Sequence, residues 1–469
     1  MSWPLKLHAA DAASTGDQQN ASVTEDLLAT TIEQAKESKA QIKNVEKLAG
    51  KETFLIKQGG WLSSTYRHYK NIDNQKSLPD FLKWTWTQEA YLWLYLDYNA
   101  TISAYVQAGD SYVDRGVGPT YTGIGADNNG PFISIAYSKI NLKPQYHVPL
   151  TLSVGRQYLF LGRGLAYEAV HDGLLTEYTQ APFYVKQFIS KTQPYEDNID
   201  YSVPGFDKQG DRVFAGGEIS YIGLKRTTVY AFGLLQMDNS SPEPDNQTQN
   251  FHYNSSYLGA GVSSRFVEPL ELWLEWDSEK GRSYTDAART RLEQTTIDAW
   301  AYTAGAKYHF DLPTHPILET EYAYGSGDED RTNVTNTTGG DLDGHDKNFL
   351  YFGHYQAGYA LQPRLSNINI WSLNASCQPF EWVPSLKKTA VGTKYYRYWK
   401  DRARGGTSDL ESTVSDKDIG EEVDVYVHSK INDNLTLSVR CGIFFPGGAF
   451  PENQRNTTQY FYTRLTLKF

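Results

Sequence analysis

The sequence predicts an all-β fold: a transmembrane antiparallel β-barrel of about eighteen strands, with a short N-terminal helical segment. Three observations predict it. From about residue 52 to Phe469, strand-length segments alternate apolar and polar residues. Aromatics make up 14 % of the chain, with 34 Tyr and 11 Trp, although the mean hydropathy is -0.55. No run approaches the roughly eighteen consecutive apolar residues of a membrane-spanning helix.

The chain divides into residues 1–50, an N-terminal segment, and residues 51–469, the barrel. Ala10-Asp11-Ala12 has the small-residue form of a signal-peptide cleavage site, so a mature start near Ala13 is expected. Leu27, Leu28, Ile32, Ala35, Ile42, Val45 and Leu48 recur at helical spacing among Glu, Lys and Gln, with Thr24 as a cap and Gly50 as a stop. This helix, over about 24–49, is expected on the periplasmic side or in the barrel mouth.

Beyond it the period becomes two. In 82–97, Leu82, Trp84, Trp86, Ala90, Leu92, Leu94 and Leu96 share one face; Lys83, Thr85, Thr87, Glu89, Tyr91, Tyr95 and Asp97 share the other. Leu270, Leu272, Leu274 and Trp276 oppose Glu271, Trp273 and Glu275. Val423, Val425 and Val427 oppose Glu422, Asp424, Tyr426 and His428. Carboxylates in register on several strands suit a wet lumen rather than a dry core. The fourth strand is expected over 132–142. The last runs over 459–469, with Phe461, Thr463, Leu465, Leu467 and Phe469 towards lipid and Tyr460, Tyr462, Arg464, Thr466 and Lys468 inward. Such a strand is needed to pair with the first, because an open sheet edge cannot face lipid. Tyr and Trp are the usual interfacial girdle residues.

The connections alternate between short turns, such as 224–226 and 268–269, and long loops, such as 115–131, 239–254, 328–364 and 402–419. Acidic loop 326–347 carries calcium-type oxygen ligands, but its spacing is not that of an EF-hand, and it reads as a solvated loop. The net charge of -11 argues against nucleic-acid binding. Cys377 and Cys441 are the only cysteines. Parity puts Cys441 on the lipid face, and no metal or cofactor motif is present. His171, Asp172 and His428 lie in no catalytic motif, so an enzyme is not expected.

Two stretches, Lys417 to Asp424 and Arg440 to Gly447, resemble the C-terminal part of the alginate export family. So do Gly155-Arg156-Gln157 with Asp172-Gly173-Leu174, and Tyr324 to Gly327. The resemblance implies a monomeric outer-membrane barrel in a Gram-negative bacterium, among lipid and lipopolysaccharide. It would pass an anionic uronate polysaccharide through an arginine-lined constriction, with room for a periplasmic partner. The substrate-pathway residues it implies are Arg156, Gln157, Asp172, Arg440, Arg464 and Lys468. Arginine suits a polyuronate, because its planar fork pairs with carboxylates. Parity turns Arg440, Arg464 and Lys468 to the lumen. It turns Arg156 to lipid, with Leu152 and Val154, unless a bulge near Gly155 intervenes. Ser438 stands where the family has a second arginine. The turn from Ser429 to Asn434 is too short to reach a pore axis as the family's plugging turn does, and the N-terminal helix is the expected replacement. The function expected is passive passage of a hydrophilic, anionic saccharide. The alternative is a small-solute porin, which the inward acids Glu271, Glu275, Glu422 and Asp424 favour. A sheath around a partner protein is a further class that the sequence leaves open.

Overall fold

The computed structural model describes residues 21–46, 53–72, 74, 79–119, 121, 124–194, 196, 199, 210–240, 252–283, 294–331, 333–334, 344–409 and 411–469. The proposed cleavage site at Ala10–Ala12 lies outside them. Among them are helices α1 (Ala21–Glu46) and α2 (Lys143–Tyr146). The strands are β1 (Phe54–Lys70), β2 (Leu82–Tyr98), β3 (Ile102–Val117), β4 (Ala126–Asn141), β5 (Leu150–Phe160), β6 (Glu168–Gln180), β7 (Phe183–Lys191), β8 (Arg212–Leu224), β9 (Thr227–Asp238), β10 (Tyr253–Val267), β11 (Leu270–Ser283), β12 (Thr295–His309), β13 (Ile317–Gly325), β14 (His345–Asp346), β15 (Ile368–Cys377), β16 (Thr389–Lys400), β17 (Asp418–Lys430), β18 (Leu435–Pro446) and β19 (Thr458–Lys468). The two-residue β14 lies parallel to β12. The other eighteen form a closed antiparallel barrel.

Closure is made by β19 against β1, from Trp61 opposite Lys468 to Lys70 opposite Gln459. The last residue takes part: Phe469 N–H donates to Gly60 O at 3.0 Å and Gly60 N–H to Phe469 O at 2.9 Å. The first and last strands thereby have no open edge, as the hydrocarbon region demands. The alternating faces sort as the period predicts. Leu92, Leu274, Val425 and Leu465 are exposed on the outside, whereas Glu89, Glu275, Asp424 and Arg464 are buried within. The free thiol of Cys441 lies between Val425 and Phe461 on the outer face, and Cys377 is also free.

Two segments depart from the simple cylinder. The β5–β6 hairpin leaves its neighbours at mid-height. β4 pairs with β5 only up to Ala136–Arg156, and β7 meets β6 only from Lys191–Asp172 onward. Beyond that level the hairpin tip turns into the lumen. There Gly162 N–H donates to Glu218 on β8 at 2.9 Å and Arg163 N–H to Glu275 on β11 at 2.6 Å. Gly155 marks the departure with φ +126°, and a Cβ there would collide with Ala136 O. The second segment, residues 344–367 between β13 and β15, also folds inward. It stacks on the first: Phe352 N–H donates to Ala166 O at 3.1 Å, and His354 N–H to Gly164 O at 2.9 Å. The buried core consists of these two insertions against the inner wall, including Tyr167, Phe214, Phe349 and Tyr351.

Two expectations change. β4 starts at Ala126 rather than at 132, because Pro131 sits where the β3–β4 ladder shifts register between Gly109 and Ser111 and so breaks no ladder bond. The helix begins at Ala21, so Thr24 is not its cap. Of the two places expected for it, the helix takes the barrel, where its charges have partners on the inner wall.

Because the outer face meets lipid, Leu274→Arg should lower barrel stability by roughly 2–4 kcal/mol in refolding titrations with phospholipid vesicles. A loss below about 0.5 kcal/mol would place that face in water.

Candidate functional site

The lumen is divided. One side is filled by α1. Glu33 of the helix accepts from Arg440 on β18 at 2.8 Å, and Glu37, one turn on, meets Lys468 on β19. Gln34 is bonded to Glu89 on β2 and accepts from Tyr91 OH at 3.0 Å. Towards the opposite wall Lys36 pairs with Glu168 on β6 at 2.7 Å, and Glu46 with Lys139 on β4 at 2.8 Å. The Lys39 ammonium lies 4.3 Å from the Phe160 ring centre and 5.2 Å from that of Tyr158.

These contacts set the charge state of the helix. Burial pushes the Glu33 carboxyl up, but Arg440, with Arg464 and Arg67 behind it, more than reverses this, and its pKa lies below the usual value. The Lys39 ammonium touches lumen water yet is walled in. Burial, then repulsion from Lys186, lowers its pKa to about 8, against the pull of Glu177 and Glu168 and with a further push from Lys43.

The structure therefore separates the six residues singled out in the sequence. Arg440, Arg464 and Lys468 face the lumen, but all three are engaged: Arg440 also packs on the Tyr462 ring at 4.8 Å, and Arg464 lies 3.5 Å from Glu89. Arg156 and Asp172 are a correction to the resemblance. They sit on the outward rows of β5 and β6 with Val154 and Leu174 and neutralise each other through two bonds of 2.9 and 3.0 Å. Gly155 does kink the strand, but at the fork it opens Arg156 donates to Ile133 O at 3.0 Å instead of turning in. Gln157 points inward, is buried, and donates to Gly173 O at 3.1 Å.

The inward acids were read as pore-wall charge, and most have another use. Glu422 accepts three backbone N–H groups of the second insertion, from Tyr359 and Ala360 at 2.6 Å and Leu361 at 3.1 Å. Glu279 holds Leu350 N–H at 2.9 Å and the Tyr253 hydroxyl at 2.7 Å. Asp424 lies beside Glu422 and is buried as well. An irregular segment inside a barrel needs acceptors for its N–H groups, and lumen carboxylates supply them. Acidic loop 326–347 is described only in part. Within it Asp346 pairs with Arg331, and Glu329 with Arg404. Among the described residues no group of three or more His, Cys, Asp or Glu side chains is arranged to hold a metal. His171 is bonded to Tyr167 and Glu196, and His428 to Ser438.

A second part of the lumen lies across from β18 and β19. A cavity of about 390 Å³ is lined by Arg163 from the hairpin tip, Arg226, Thr228, Ser263, Arg265, Glu271, Trp273, Lys307, Glu319 and Glu321. Most of its charges are tied in pairs: Arg226 with Glu268, Arg265 with Glu271, Lys307 with Glu319. Arg163 is held more loosely. Its guanidinium stacks 4.9 Å from the Trp273 ring centre, 3.8 Å from Glu321. That carboxylate already accepts from Trp273 Nε1 and Tyr355 OH, each at 2.8 Å. The sequence signal for Arg163 is weak, since it lies in none of the stretches that resemble the family.

A family model described as alginate export matches residues 86–463. Among solved structures, Pseudomonas aeruginosa OccK2 (OpdF) is 14% identical with a TM-score of 0.52, covering 89% of this chain and 100% of that one. OccK5 (OpdH) of the same organism is 14% identical at 0.52, covering 88% and 98%. OprD, also from that organism, is 11% identical at 0.50, covering 89% and 96%. At such identities the likeness is one of fold, that of outer-membrane porins. No curated protein sequence matches the chain.

Two outcomes follow from this geometry. Glu422→Ala leaves three N–H groups, that of Leu361 buried and those of Tyr359 and Ala360 half-buried, without their acceptor and should destabilise the second insertion by roughly 3–5 kcal/mol, read as proteolytic cleavage within 344–367 of the folded barrel. As pH rises through about 8, Lys39 loses its charge. Its pKa is lower in place than in the unfolded chain, so the seat of α1 gains stability from about pH 8 to about pH 10.5. The reversal potential in bilayers should move towards cations over pH 7–9, and Lys39→Met should abolish that step.

Proposed function

The chain belongs to the alginate export family, and on that premise we propose that it passes a carboxylate-bearing saccharide, passively and as a monomer, along the wall formed by β9–β13. It is an outer-membrane channel of a Gram-negative bacterium and not an enzyme. The observation that carries the proposal is Arg163. It stands on a rigid support, because its own N–H is fixed by Glu275 at 2.6 Å. It faces the cavity, and its guanidinium has the weakest carboxylate contact there. A uronate carboxylate offers it the two-pronged partner that Glu321 does not, while Thr228, Ser263 and the paired charges around it give the weak contacts that let a solute move on.

A second reading has its own support. The cavity balances Arg163, Arg226, Arg265 and Lys307 against Glu271, Glu319 and Glu321, and its volume suits a small molecule rather than a chain of sugars. With α1 in place, single sugars and short fragments fit this passage better than a polymer.

Bilayer recordings under a potassium chloride gradient test the proposal. Anion preference should be present and should fall about twofold or more in Arg163→Ala, since one fixed charge dominates the field of a narrow passage. Galacturonate should block the current of the wild type more strongly than glucose does. Cation preference in the wild type would instead support the small-solute porin.

A further inference from the structure

The described side chains of α1 join it to the wall mainly by charge. Of its described side chains, only Ile32, Ala35 and Ile42 are buried apolar groups. Against them stand Glu33 with Arg440, Glu37 with Lys468, Lys36 with Glu168 and Glu46 with Lys139. Arg464 lies close enough to feel both Glu33 and Glu37. The pairs are arranged by helical spacing. Residues 33 and 37 are one turn apart on the face towards β18 and β19, and Lys36 and Lys39 look towards β5 and β6. Several partners remain wet: the side chain of Lys36 is 52% exposed and that of Glu33 is 38% exposed. Ion pairs that stay in contact with water are weak one by one and are screened by salt.

The helix and the wall beside it allow movement. Helical hydrogen bonds are satisfied within α1 itself, so leaving the lumen exposes few orphaned backbone groups. The wall that α1 covers closes without it, because β1 pairs directly with β2 and β19. An eighteen-stranded barrel is wide enough for an aqueous channel unless something fills it.

We propose that α1 is a reversible plug, seated by the Glu33–Arg440 and Glu37–Lys468 ion pairs and released when they are screened or displaced. Seated, it confines solutes to the Arg163 cavity. Released, it opens the half of the lumen in front of β18 and β19 and uncovers Arg440, Arg464 and Lys468. The device does not depend on which solute passes, so it stands or falls separately from the saccharide proposal.

The test uses the full chain in planar bilayers. Glu33→Arg places like charges together and should add a conductance level about twofold or more above the wild-type level, as the plug leaves its seat. Combining it with Arg440→Glu restores an attractive pair and should return the wild-type level. Equal conductance in wild type and Glu33→Arg overturns the proposal. So does a double variant that stays as open as the single one, since the pair would then not be the latch. The wild type alone gives an independent measure. Between 0.1 and 1 M potassium chloride the screening length falls from about 10 Å to about 3 Å, and the fraction of time in the upper level should rise. A single level that scales only with bulk conductivity at every salt concentration overturns it as well.

Discussion

The pairing of β19 with β1 is the contact on which the rest depends. A backbone amide in hydrocarbon has no water to fall back on, so each strand must have two neighbours. Phe469 and Gly60 exchange both of their backbone bonds at this seam. Once the seam is closed, the alternation of side chains has only one physical outcome: oily rows outside, polar rows inside. The buried Glu, Asp, Arg and Lys of the chain are then not anomalies of a core but the lining of an interior that begins wet.

That interior is then largely filled. The two insertions carry irregular backbone into the barrel, where unpaired N–H groups are costly. Lumen carboxylates meet that need: Glu218 and Glu275 hold the hairpin tip, and Glu279 and Glu422 hold the second insertion. The wall and the insertions thus form one hydrogen-bonded body. α1 differs from them. It satisfies its own backbone, and its described side chains meet the wall largely through charge.

The position of the passage follows from this division of labour. The basic groups of β18 and β19 are covered by helix acids. The open cavity lies where no helix packs, under the tip that carries Arg163. Arg163 is brought to that cavity by a segment between strands, while Arg265, Glu271, Lys307, Glu319 and Glu321 reach it from the wall.

Much of the barrel was legible in the residues. The parity of Trp86–Leu96, Leu270–Trp276 and Tyr460–Lys468 assigned inner and outer faces correctly, because alternation is fixed by the geometry of each strand alone; it failed at Leu82, which a register shift before Trp84 turns inward against Tyr460 and Tyr462. Parity also turned Arg440, Arg464 and Lys468 inward and Arg156 outward. The same residues could not reveal their partners. Glu33 and Arg440 are 407 positions apart, and Glu422 and Tyr359 are 63 apart. No local period encodes such pairs. Sequence determined which charges point into the barrel, since that depends on neighbours two residues away. Only the tertiary structure decided which of them hold the helix, which hold the insertions and which remain beside open water, since that depends on how distant segments share one enclosed volume.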